Sequence, residues 1–228
     1  LSPHLAAEIR MGFVRKVYGV LACQLLLTFV ISIPIMVFSG QIKGKNLHTL
    51  WAVGLGGGMI MMMAMNCCRG AVREYPWALL LGFSCFKGLL FGALSAQYTW
   101  QSLLLALGVA VLVFTCMTVF AFVAKTDFTG YAPYLYAAAM TFGMFGIVLF
   151  IMSMCGVHIS WVRIAWDYLG VLLFVGFIVL NTQRILGEWG GHQHQFSVDD
   201  WMFAALTLYI DFTQLFMHLL RIMGERKH

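Results

Sequence analysis

Three observations predict an all-α membrane protein, a bundle of seven helices. The chain is 61% hydrophobic and only 10% charged. Its apolar residues gather in seven runs of spanning length. The last run carries a polar stripe around a lone carboxylate, and a stripe of that kind is expected to face the bundle interior.

A soluble domain is about 45–50% apolar and about 25% charged, so this composition excludes an ordinary soluble fold. A span needs roughly 20 apolar residues, and the 228 residues hold seven of them with short connections. The net charge of +5 does not point to nucleic acid. The basic residues lie in loops beside the apolar runs, with no interleaved aromatic stripe and no zinc-finger spacing. None of the six cysteines fits a secreted disulfide framework. Cys23, Cys67, Cys68, Cys85, Cys116 and Cys155 read as buried free thiols, with Cys67 and Cys68 at a membrane edge where palmitoylation is conceivable.

The spans are expected at Val17–Phe38, Leu50–Cys68, Trp77–Tyr98, Leu103–Ala124, Tyr131–Cys155, Val162–Leu180 and Trp201–Met223. The first lacks a small-residue cleavage site and is long enough to cross, so it reads as a span and not as a signal peptide. Residues 1–16 are expected to precede a single membrane domain, 17–223, with 224–228 as a tail. The connections "SGQIKGKN", "RGAVREYP", "TWQ", "KTDFTG" and "GVHIS" leave no room for a soluble domain. The longest, "RILGEWGGHQHQFSVDD", is flexible at its paired glycines. Its His192 and His194 read as solvated and not as a metal site.

Arg10, Arg15, Lys16, Arg69, Arg73, Lys125 and Arg184 fall on one side if every run crosses. Lys43, Lys45, Arg163, Arg221, Arg226 and Lys227 fall on the other, seven against six. A last segment that dips in and returns gives ten against three. The positive-inside rule places the N-terminus in the cytoplasm and mildly favours the re-entrant form.

Glycines four apart, Gly54 with Gly58 and Gly88 with Gly92, let helices approach closely. They are expected to pack within the monomer. "MIMMMAM" reads as soft core or lipid-facing surface.

On the last run, Asp200, Thr207, Asp211, Gln214 and His218 lie within about 60° of one another at about 100° per residue. Asp211 sits in its middle. A charge at mid-helix in a bilayer is disfavoured by roughly 2.5–3.5 kcal/mol, so it needs a wet cavity or a partner. The sixth run closes on Asn181, Thr182 and Gln183. The third holds Lys87 near mid-depth, where snorkelling is difficult. A Lys87–Asp211 contact is the economical solution. Arg163 and Asp167, four apart, are expected to form a local ion pair.

"FVRKVYGVLACQLLLT", "AKTDFTG" and "VDDWMFAALTLYIDFTQLFMHLLRIMG" resemble the opening, the fourth-to-fifth loop and the closing segment of the Bax inhibitor-1 / lifeguard family. The resemblance runs from Arg10 to Gly224. It implies a seven-helix bundle with the last helix central, and a pH-sensitive calcium leak that modulates calcium homeostasis and cell death. In that family an aspartate on the sixth helix and one on the seventh share a proton and gate the pore. An arginine of the second-helix region acts as a latch; here it is Arg69 or Arg73.

Asp211 matches the seventh-helix aspartate. The family's Asp-Thr-Gln reads Asn181-Thr182-Gln183 here, so one carboxylate has become an amide. Many lifeguard members carry a glutamate near the position of Lys87. Two adjacent carboxylates resist double ionisation and sense protons; an Asn–Asp pair has one titrating group, so weaker pH gating is expected. Calcium prefers several oxygen ligands, which leaves Asp211 a weak metal site and calcium a permeant ion. No cofactor is expected.

The gate and polar seam are therefore Asp211, Asn181, Lys87, Gln214, His218 and Thr207. The alternative is a non-conducting scaffold that suppresses apoptosis through membrane partners. With no GxSG, no HExxH and no paired membrane aspartates, an enzyme is not expected. The expected surroundings are the lipid bilayer and apoptosis-related membrane proteins, with the chain a monomer. Endoplasmic reticulum, Golgi and plasma membrane are not distinguished.

Overall fold

The computed structural model describes residues 3–38, 44–67, 72, 74–157, 159–191 and 194–225. Seven long helices carry the fold: α1 (Pro3–Val37), α2 (Gly44–Cys67), α3 (Pro76–Ser95), α4 (Trp100–Val123), α5 (Ala132–Met154), α6 (Ser160–Leu186) and α7 (Trp201–Met223). Each is long and apolar enough to cross a membrane. Helices are the expected answer to such a sequence, because lipid offers no partner to a free backbone N–H or C=O.

The boundaries have local causes. α3 opens at Pro76 and α5 at Ala132-Pro133, where a missing N–H costs nothing. α6 stops at Gly187, whose φ of +57° is in the left-handed region. α1 begins at Pro3, well before the first expected span, and Phe13, Val14 and Val17 on it are buried.

The chain forms two compact units. One combines α1 up to Lys16 with the chain from Leu104 to Gly224. The other runs from Val17 to Leu103 with Glu225. In the second unit α2 and α3 pack backbone to backbone. A Cβ on Gly54 would stand 2.6 Å from Leu90 N and 2.8 Å from Phe86 O. Gly57 and not Gly58 completes this contact, since a Cβ there would strike the Phe86 ring. Gly88 and Gly92 receive Ile31 and Ile35 of α1 in the same way, at 2.8 and 2.9 Å. Gly54, Gly57, Gly88 and Gly92 thus serve packing inside one chain, whereas Gly58 makes no close approach.

In the first unit α6 and α7 form the main helix pair. α7 is the most enclosed helix: 78% of its most apolar stretch is buried, against none of that of α5. The outward residues of α5, among them Met140, Met144, Ile147 and Ile151, form a surface suited to lipid.

Two expectations need correction here. α7 runs unbroken for 23 residues, about 34 Å at 1.5 Å per residue. It has no turn at Asp211 and does not double back: it contains no Gly or Pro, and its Asp211 and His218 are paired with α6. The cysteines are free but not buried. Cys23, Cys67, Cys116 and Cys155 are exposed on helix surfaces and Cys85 is intermediate. A small apolar thiol is at home against lipid as well as in a core. Cys68 lies outside the described residues. Met59, Met62 and Met63 are exposed while Met65 is buried, as a lipid-facing run requires.

Candidate functional site

The polar residues of α6 and α7 meet in two separate clusters. The first is at Asp211, the eleventh of the 23 residues of α7. Asn181 Nδ2 donates a 2.7 Å hydrogen bond to Asp211 Oδ2. Both residues are nearly sealed, at 2% and 4% exposure. An amide can face a carboxylate from two sides, as donor through nitrogen or acceptor through oxygen. Here only the donor side is used, and Asn181 Oδ1 is buried without a partner. That leaves an acceptor beside Asp211, able to receive a proton-bearing group, a water or a cation.

The residues following Asn181 have another task. Gln183 Nε2 donates to Thr126 O at 2.9 Å, and Gln183 Oε1 accepts from Phe128 N at 2.8 Å. The side chain therefore pins the α4–α5 connection to the end of α6. Within that connection Asp127 accepts from the Thr129 backbone and hydroxyl at 2.9 and 2.6 Å.

The second cluster lies where α6 begins and α7 ends. Asp167 is buried. Its Oδ1 is 2.8 Å from His218 Nδ1 and 3.5 Å from Arg221 Nη1. This corrects the local Arg163–Asp167 pair. A buried carboxylate takes the donors that packing brings to it, and here those come from α7. Half-buried Arg163 has no described bond to it.

Thr207, Gln214 and Asp200 have no described bond to either cluster. Thr207 returns its hydroxyl to Ala204 O at 3.0 Å. Gln214 is half-buried, and Asp200 is exposed ahead of the helix. Lys87 belongs to the other compact unit, on α3, with its ammonium 5.4 Å from the Phe83 ring centroid. The bond described on Asp211 comes from Asn181. Arg69, Arg73 and His192 lie outside the described residues. Among the described residues no three His, Cys, Asp or Glu side chains are grouped to hold a metal ion.

Sequence reasoning counted Arg10 only as a loop charge. It is buried, and its guanidinium donates to Leu186 O at 3.2 Å, Arg184 O at 2.8 Å and Phe196 O at 2.8 Å. It thereby satisfies carbonyls that the end of α6 leaves free. It also ties that end to the α6–α7 connection, where Phe196 N bonds Arg184 O at 3.0 Å. Arg184 itself lies over the Phe196 ring at 4.3 Å and donates to Tyr136 Oη at 2.9 Å. The one available signal was an arginine preceding the first apolar run by about two turns, which is indistinguishable from a topogenic charge.

Known proteins resemble this chain in sequence over nearly its whole length. The family described as "Inhibitor of apoptosis-promoting Bax1" matches residues 10–228. The human protein lifeguard 3 is 28% identical over 223 residues, 96% of this chain and 70% of that protein. The mouse protein lifeguard 3 is also 28% identical, over 96% of this chain and 71% of its own length. The Golgi anti-apoptotic protein of vaccinia virus (strain Lister) is 26% identical, over 96% of this chain and 87% of its own.

Proposed function

Because the chain belongs to the family of inhibitors of apoptosis-promoting Bax1, we propose that it modulates cell death from within a membrane, as a cation leak pathway for calcium gated at Asp211. The observation that carries the reading is the Asn181–Asp211 bond. A carboxylate is held halfway along the most enclosed helix, beside a buried acceptor with no partner. Intramembrane carboxylates are costly and mark ion or proton pathways. Asp211 supplies the attraction for a cation, and the Asn181 amide competes for that charge when the path is empty. With one carboxylate where two would share a proton, proton gating by this pair near neutrality is weak. The reading is non-enzymatic.

An anti-apoptotic relative named for the Golgi supports an internal membrane as the site of action. The three basic residues ahead of the first span, Arg10, Arg15 and Lys16, against Lys43 and Lys45 after it, support a cytoplasmic N-terminus. Calcium is the permeant ion, and no cofactor is required.

The second reading is a non-conducting scaffold acting through membrane partners. It is favoured by the same bond, since Asp211 is already engaged by a neutral donor. Calcium flux into dye-loaded liposomes at about pH 6 and about pH 8, with Asn181→Asp beside the parent, separates the two. Parent flux, with a pH dependence that Asn181→Asp steepens, supports the leak. No parent flux at either pH leaves the scaffold.

A further inference from the structure

His218 stands seven residues beyond Asp211 on α7, about two turns toward its end. Its ring is enclosed by aromatic side chains from two neighbouring helices. Phe142 of α5 is 5.5 Å away and edge-on, Trp166 of α6 is 5.1 Å away and edge-on, and Phe174 of α6 is stacked at 5.8 Å. The ring rests on the backbone of α6 at Gly170, where a Cβ would come within 2.6 Å of Cε1 and Nε2. This space exists only because residue 170 is glycine.

The charged groups facing this ring are few. α6 contributes Asp167, through Oδ1 at 2.8 Å. α7 contributes Arg221, whose Nη1 is 3.5 Å from the same oxygen and whose guanidinium lies over Trp166 at 5.8 Å. α5 has no Asp, Glu, Lys, Arg or His in its sequence, and its Tyr136 is bonded to Arg184 at the opposite end of α6. Arg163, one turn before Asp167, has no described bond to the cluster.

We propose that His218 and Asp167 form a second proton-binding site, separate from Asp211, whose occupancy decides whether Asp167 is balanced by His218 or by Arg221. Histidine gains its charge between about pH 5 and 8, and arginine keeps its charge throughout. With His218 neutral, its Nδ1–H donates to Asp167 and Arg221 supplies the balancing charge. With His218 protonated, two cations contend for one carboxylate oxygen. The contest is asymmetric. The Arg221 side chain is 37% exposed and can turn outward, while the His218 side chain is 3% exposed and its stacked Phe174 face favours the cation. Protonation therefore transfers Asp167 from a residue at the rim to one inside the seam, and tightens α6 on α7 below the Asp211 gate.

The effect on flux rests on the proposed leak; the protonation does not, and the two are read separately. The full chain is reconstituted in liposomes and Trp166 emission is taken as the difference between parent and Trp166→Phe from about pH 5 to about pH 8. Imidazolium quenches a neighbouring indole more strongly than imidazole does. The parent should show one titration in that window, absent in His218→Gln and displaced in Asp167→Asn, a second variant that removes the anion and keeps the volume. Calcium flux should change about five-fold or more across the same window, and His218→Gln should flatten it. A flat Trp166 signal in the parent, a titration that survives His218→Gln, or a pH-dependent flux unchanged in His218→Gln overturns the site. Absence of flux at every pH overturns the leak, and the Trp166 titration still decides the site.

Discussion

The amide of Asn181 holds the carboxylate of Asp211 at 2.7 Å, and this bond joins α6 to α7 halfway along the most enclosed helix. Asn181 brings no second acidic group to this depth, and its amide supplies a donor to the carboxylate there.

Removing that donor exposes the arrangement's cost. Asn181→Leu leaves Asp211 buried without its described partner and should destabilise the protein by about 1–3 kcal/mol. Adding Asp211→Leu should recover part of the loss, because an apolar pair has no unmet bond. Thermal unfolding in detergent of the two single variants and the double gives the coupling. Additive losses would show that the 2.7 Å bond is not what the residues share.

Arg10 should behave as a structural clamp. Arg10→Ala removes the guanidinium's bonds to three backbone carbonyls, Leu186 O, Arg184 O and Phe196 O, and should lower the melting temperature. It should also open the 187–196 connection to protease. Arg10→Lys should restore only part of this, since one ammonium cannot reproduce a planar fork. Limited proteolysis of the three proteins is the check, and equal cleavage in all of them would refute the clamp.

Gly170 and His218 should be coupled by shape. Gly170→Ala pushes a Cβ to 2.6 Å from the imidazole and should cost about 1–3 kcal/mol by overpacking. In a His218→Ala background the same change meets free space and should cost far less. A double-mutant cycle on melting temperature measures the difference, and an equal penalty in both backgrounds would place the strain elsewhere.

The glycines of α2 should separate by position and not by pattern. Gly54→Ala meets the backbone of α3 at 2.6 Å, whereas Gly58→Ala finds its nearest neighbour at 4.0 Å. The first should lower stability and the second should leave it within about 0.5 kcal/mol of the parent. Comparable losses in both would mean that the α2–α3 approach does not depend on Gly54.

What the sequence determined by itself was everything that depends on neighbours along the chain. Seven apolar runs of spanning length produced seven helices, because in lipid a run of that length has one way to satisfy its backbone. The stripe through Asp211 and His218 follows from helical periodicity alone, and the Asn181–Asp211 partnership was legible because the family resemblance aligns those two positions. Tertiary structure alone decided which donors reach a buried charge. Asp167 bypasses Arg163, one turn away, for His218 and Arg221 some fifty positions on. Arg10 reaches carbonyls more than 170 positions away. A carboxylate or guanidinium withdrawn from water must take the partners that packing places beside it, and packing between distant helices leaves no periodic trace in the sequence.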